Sequence, residues 1–224
     1  MKNDMPQSVF ASVQSHLRSG CLRGEKGWES GREEEDTLTG DLCGSLRTDG
    51  WVDLTDENGS SWKFRVTYKK FRGRGKGAEE KIFGTDGIVE VQIENVALGA
   101  KFGKGLLFQA KKQGDKDKTR LRLQARTMEK VAAGGSAIFE YGPNKYTGVD
   151  SSQVLTDEAK LVREKAKARL GDYLADRFLP CESGKRGMYY DAVARAIVYA
   201  DDNGNIVRAH ATLLHRLRIE VVTE

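Results

Sequence analysis

Apolar positions along the chain follow two spacings, and the switches between them mark the predicted elements. Val9, Phe10, Val13 and Leu17 fall at helical intervals within Ser8 to Arg18, behind Pro6, which a first helical turn tolerates. A glycine-punctuated link from Gly20 to Gly31 is expected next. A second helix then runs from Glu33 to Arg47, where Leu38, Leu42 and Leu46 repeat every four residues and should pack on a sheet. Trp51 to Leu54 and Trp62 to Phe71 read as strands around the turn DENGS, because Trp62, Phe64, Val66 and Tyr68 alternate with Lys63, Arg65, Thr67 and Lys69. The stretch RGRGKGAEE reads as a charged loop before a strand from Gly87 to Ile93, and Gly105 to Lys111, with Leu106, Leu107 and Phe108 in a row, has the pattern of a central strand.

Helical spacing returns over Lys118 to Val131 and ends at Gly134 and Gly135, after which Ala137 to Tyr141 is a buried strand. Thr156, Asp157 and Glu158 form a helix start, with the helix continuing through Leu161, Ala168 and Tyr173 towards Phe178 and stopping at Pro180. Two strand-like runs, Ala194 to Tyr199 and Ile206 to Val222, flank the hairpin signal DDNGN. The order predicts an α/β or α+β sandwich, a central mixed sheet flanked by helices. At 224 residues one domain is expected, with a core at about 28–154 and a C-terminal helix and hairpin addition at about 155–224.

Composition narrows the class. Apolar residues make up 38% and charged residues 31%, and no apolar run approaches the roughly 18 residues that span a bilayer. No membrane partner is expected, and the N-terminal stretch lacks the pattern of a secretory signal, so the expected location is cytoplasmic. Cys21, Cys43 and Cys181 are odd in number and far apart, against a disulfide framework or a zinc site. His16, His210 and His215 have no metal-ligand spacing either, and a structural or surface role is expected of them. The net charge of +4 is modest, but its distribution is not: residues 101 to 130 carry ten Lys or Arg against three acids, and residues 63 to 81 carry eight against two. Such clusters attract a polyanion by releasing its counterions. Lys70, Arg72, Arg74, Lys112 and Arg120 are the candidate nucleic-acid contacts. RGRGKG lacks the GxxxxGK[ST] pattern of a phosphate loop. Gln124 lies on the same basic helix as Arg120, Arg122 and Arg126, a face that suits either solvent or DNA.

Around the clusters lies an acidic and lysine constellation, with Asp86 between them and Gln109 and Lys111 inside the second. Asp86 stands at the entry to one predicted strand, and Gln109 and Lys111 stand two apart near the end of the next, on one face. A carboxylate, an amide oxygen and an ammonium would converge if the two strands pair with these ends adjacent. Oxygen ligands suit a hard cation such as Mg2+, with Mn2+ as a substitute, and the ammonium suits a phosphate. The third acid is sought in the run Glu33, Glu34, Glu35 and Asp36. At about 100° per residue Glu35 lies about 20° from the centre of the leucine stripe and Glu34 about 80°, so Glu35 points most directly at the sheet and Glu34 is the second candidate.

These three stretches resemble the ordered motifs of PD-(D/E)xK, restriction-endonuclease-like nucleases: Glu35-Asp36-Thr37-Leu38-Thr39-Gly40, then Gly84-Thr85-Asp86-Gly87, then Phe108-Gln109-Ala110-Lys111-Lys112. The QxK ending is similar to that of the Mrr-like branch, which includes restriction and anti-phage effector nucleases. The resemblance covers roughly residues 28 to 142. It implies a restriction-endonuclease-like core, a catalytic set of Glu35, Asp86, Gln109 and Lys111, a Mg2+ held by Glu35, Asp86 and Gln109, and hydrolysis of DNA. Thr85 stands where the family name has proline, and Gln109 where many members have an acid, leaving fewer negative ligands for the cation. Glu90 and Gln92 are reserve candidates. Two alternatives stand beside this reading: an inactive nucleic-acid-binding or interaction module of the same fold, and an RNase or partner-activated nuclease. Residues 155–224 leave room for a sensor subunit or a second copy of the chain as partner.

Overall fold

A computed structural model describes residues 4–71, 84–96, 99–156, 167–201, 203–211 and 213–223. Its centre is an open mixed sheet of nine strands flanked by helices, the class expected from the spacing pattern. The first strands are β1 (Val52–Thr55), β2 (Ser61–Lys70), β3 (Gly87–Asn95) and β4 (Ala100–Lys112). After them come β5 (Ser136–Tyr141), β6 (Tyr146–Asp150), β7 (Ala168–Arg169) and β8 (Lys185–Arg186). The last strand, β12 (His215–Thr223), completes the sheet, whose order is β1-β2-β12-β3-β4-β5-β6-β7 with β8 on β4. A separate three-stranded sheet holds β9 (Tyr189–Asp191), β10 (Ala196–Ala200) and β11 (Ile206–His210).

One sheet face is covered by α1 (Gln7–Glu25) and α3 (Glu35–Leu46), with the short α2 (Trp28–Gly31) between them in sequence. Leu38, Leu42 and Leu46 join Val13 and Leu17 of α1, Phe64 and Val66 of β2, and Phe108 and Ala110 of β4 in one buried cluster. The opposite face packs α4 (Lys118–Val131) and α5 (Ser151–Leu155) together with the small sheet. Leu107, Ile88 and Ile138 meet Ala125, Met128, Val154 and Ile197 there. Side chains at 106, 108 and 110 therefore face α3, and those at 107, 109 and 111 face α4.

Several elements depart from the sequence reading. The first helix does not stop near Arg18 but runs to Glu25, through the glycines taken for a link. A Cβ at Gly24 would stand 2.9 Å from the Leu42 Cα, and one at Gly20 would stand 2.7 Å from the Leu46 Cδ2. These glycines let α1 and α3 cross closely, which offsets their poor helix propensity. Ala168, expected in a long helix, lies in the edge strand β7. Helical structure resumes at α6 (Leu170–Asp172), continues as a π-helix (Tyr173–Phe178) and ends before Pro180, while Leu161 lies outside the described residues.

The expected strand from Ile206 to Val222 is two strands with different roles. β11 closes the hairpin with β10, whereas β12 inserts between β2 and β3, antiparallel to the first and parallel to the second. Its alternation explains the placement: Leu217, Ile219 and Val221 enter the α3-side core, and Arg216, Arg218 and Glu220 face the other way. The core drawn at 28–154 thus lacks a central strand, which the C-terminal segment supplies. β6 and α5 are further elements that the spacing pattern did not mark.

Candidate active site

The site forms where β3 and β4 part. Pairing between them ends with Gly87 opposite Phe108, and the Asp86 N–H still donates to the Phe108 carbonyl (2.9 Å). β4 runs on to Lys112, paired with β5 on its other side, so its backbone groups at 110 and 112 look into an open fork. A carboxylate fills each vacant rung. The Ala110 N–H donates to Asp86 Oδ2 (2.7 Å), and the Lys112 N–H donates to Glu35 Oε2 (2.8 Å). Rungs two residues apart are about 6.8 Å apart along a strand, which sets the scale of the gap between the acids.

Local sequence explains how each acid gets there. Gly84 has a positive φ (+63°), and a Cβ on it would strike the Gln124 backbone at 2.7 Å, so only glycine brings this turn against α4. Thr85 is buried with its hydroxyl 2.9 Å from the carbonyls of both Gly87 and Phe108, which share its one proton and pin the turn to β4. The Asp86 carbonyl accepts from the N–H groups of Leu214 and His215 at the start of β12. Glu35 is the first residue of α3, at the end where the helix dipole favours an anion.

The remaining polar groups close around the acids. Lys111 Nζ stands 3.2 Å from Glu35 Oε1, with the lysine side chain 9% exposed and that of Glu35 30% exposed. Gln109 is buried, and its Nε2 donates to Asp86 Oδ2 and to the Ala110 carbonyl (3.1 Å), while its Oε1 accepts from Gln124 Nε2 (3.0 Å). The structure thus joins Glu35 to Lys111 and Asp86 to Gln109, with β4 carrying one member of each pair. Glu34, the second candidate, is extended and precedes the helix, where its carboxylate accepts from the Thr37 hydroxyl.

Two residues outside the predicted set brace the site. His215 is buried, with Nε2 2.8 Å from Asp36 Oδ1 and Nδ1 2.9 Å from the Tyr68 hydroxyl. Burial pushes the Asp36 carboxyl up, but Lys70 and His215 outweigh it and hold the group below the usual carboxylate range. Burial pushes His215 below its ordinary value, against the pull of Asp36. No spacing signal linked Asp36 to His215, because the contact depends on β12 entering the sheet beside α3.

The reserve candidates lie elsewhere. Glu90 is buried on β3, where it accepts from Arg216 (2.8 Å) and from the Tyr190 N–H, tying the small sheet to the main one. Gln92 follows it on the same strand, away from the fork. Of the expected nucleic-acid contacts, Lys70 is salt-bridged to Asp36, and the Lys112 ammonium donates to the Glu33 carbonyl. Arg120 is exposed on α4 in company with Arg122, Arg126 and Lys130, while Glu129 turns to Ser136 and Gly134. Arg72 and Arg74 lie outside the described residues, as does the whole RGRGKGAEE stretch. A recess of about 540 Å³ adjoins Lys111, with Lys112, Lys116 and Lys118 over an apolar floor that includes Leu121 and Ile138.

Among the described residues no three His, Cys, Asp or Glu side chains are grouped to hold a metal. No described helix is long and apolar enough to cross a membrane. No protein-family model, curated protein or solved structure matches the chain.

Proposed function

We propose that this chain is a divalent-metal-dependent endonuclease of the PD-(D/E)xK type that hydrolyses phosphodiester bonds in DNA. The observation that carries this reading is the pair of acids on alternate rungs of β4, Asp86 on Ala110 and Glu35 on Lys112, with the Gln109 amide against the first and the Lys111 ammonium against the second. The Asp86 carboxylate, the Ala110 carbonyl and the Gln109 side-chain oxygen are hard donors of the type that Mg2+ or Mn2+ takes. Such a cation supplies Lewis acidity at a phosphate oxygen and acidifies a bound water.

The chain's own groups have separable tasks. Asp86 and Gln109 would hold the cation, and Glu35, fixed by the Lys112 N–H, is the second acid facing it. Lys111 carries positive charge where the phosphate develops negative charge, inside a shielded pair where that charge counts most. The lysines of the adjoining recess and the exposed arginines of α4 suit backbone phosphates on either side of the cut. Cleavage of supercoiled plasmid in Mg2+ or Mn2+, abolished by EDTA and strongly slowed by Lys111→Ala, is the expected result.

The lack, among the described residues, of a third acid grouped with Asp86 and Glu35, and the turn of the Gln109 nitrogen towards Asp86, favour one competing reading, a module that binds nucleic acid without cutting it. Binding that persists while plasmid, linear duplex, single-stranded DNA and RNA all stay intact would select that reading. Cleavage of RNA alone would move the substrate class.

A further inference from the structure

The Gln109 amide is turned so that its nitrogen does what a cation would do. Both Nε2 protons are used, one on Asp86 Oδ2 and one on the Ala110 carbonyl, so a donor group sits between two oxygens of the fork. Its Oε1 points away, into α4, where Gln124 Nε2 donates to it. The Gln124 Oε1 is buried and has no hydrogen-bond partner among the described residues. Nothing ties that oxygen down, so no second bond opposes rotation of the Gln124 amide.

We infer that Gln124 is a positioning residue for the fork: it selects which end of the Gln109 amide faces Asp86, and the two amides turn over together when a divalent cation enters. The inference rests on the metal-dependent reading above. Turning Gln109 alone would set its Nε2 against Gln124 Nε2, two donors facing each other across about 3 Å. Turning both restores the contact, now with Gln109 Nε2 donating to Gln124 Oε1. The inter-amide hydrogen bond survives either way, and the difference falls on the fork and on the buried end of Gln124, where an NH2 group replaces the unpartnered oxygen. In the present state Asp86 and Ala110 O receive protons from Nε2. In the other they face an amide oxygen, an arrangement of three acceptors that only a cation stabilises. Gly84 fixes the distance, because its missing Cβ lets the Asp86 turn rest directly on the Gln124 backbone.

The test follows the side-chain amides by 15N–1H NMR during a Mg2+ titration of the full chain, with the peaks assigned through Gln109→Ala and Gln124→Met. Both glutamine side-chain peaks should move with one midpoint, and Asp86→Ala should remove that midpoint. Gln124→Met should weaken Mn2+ binding roughly 10-fold, the usual scale for a partner that orients a ligand. Gln124→Glu, which can only accept from Gln109 Nε2, should keep wild-type affinity or exceed it. Repeating both variants in a Gln109→Ala background isolates the effect of charge alone, and there the gap between them should shrink. Saturable Mg2+ binding that depends on Asp86 but leaves the Gln124 amide unmoved overturns the inference while sparing the metal site. Absence of any Asp86-dependent binding overturns both.

Discussion

Glu35 and Asp86 share one edge of β4, accepting from the N–H groups of Lys112 and Ala110 at 2.8 and 2.7 Å. A sheet that ended squarely would leave those donors to water. Here the strand outruns its neighbour, and two acids from distant parts of the chain occupy the vacated rungs. Each acid therefore has a structural task beside its proposed chemical one, and substitutions can separate the two.

Asp86→Asn keeps an acceptor for the Ala110 N–H and removes the charge. Its melting temperature should stay near wild type while Mn2+ affinity collapses. Asp86→Ala should lose the cation as well and also cost about 1–3 kcal/mol of stability, because a backbone donor loses its partner. Urea denaturation beside calorimetric Mn2+ titration distinguishes the variants.

Lys111→Ala should lower the cleavage rate by about 10²- to 10³-fold, the scale for loss of one preorganised charge at a developing oxyanion. Lys111→Arg should restore little, because a larger, planar guanidinium that pairs with Glu35 does not put a compact point charge where the ammonium holds it. Single-turnover cleavage at saturating protein reads the difference.

Gly24→Ala raises helix propensity by about 1 kcal/mol yet should destabilise the protein, because the added Cβ stands 2.9 Å from the Leu42 Cα and forces α1 off α3. Leu42→Ala at the same crossing should cost about 2–5 kcal/mol. A stabilised Gly24→Ala protein in urea denaturation would refute the close crossing.

Lys104 is buried on β4, with its ammonium donating to the Ser183 carbonyl (3.1 Å) and lying 4.3 Å from the centre of the Phe178 ring. Burial pushes it down to about 8 from an ordinary value of 10.5. A base whose folded value is depressed binds fewer protons folded than unfolded between those values, so its contribution improves as pH rises from about 8 to 10.5 and is worst below 8. Lys104→Met should be more stable than wild type at pH 7, by about 1–2 kcal/mol. The advantage should narrow as the pH approaches 10, and denaturation curves at the two ends of that range measure it.

Period-two and period-four spacing made much of this legible in the chain. Leu38, Leu42 and Leu46 set the helix phase that singled out Glu35 over Glu34, and alternation along β4 put Gln109 and Lys111 on one face. Contacts that depend on which strands become neighbours were not legible. β12 carries an ordinary alternating pattern, and nothing local says that it enters between β2 and β3, so His215 beside Asp36 could not be anticipated. Gly20 and Gly24 misled for a different reason. A glycine that loosens a link and one that admits a neighbouring helix are the same letter, and only the partner surface separates them. The orientation of the Gln109 amide also belongs to the fold, since it is set by Gln124 from another element.

Anomalous diffraction from crystals soaked in Mn2+ tests most directly whether Glu35, Asp86, Gln109 and Lys111 form one cation and phosphate site. The account predicts a peak in the β3–β4 fork, against Asp86 and the Ala110 carbonyl, that disappears in Asp86→Asn. Mn2+ bound only elsewhere on the protein, with the fork empty at saturating concentration, would contradict it.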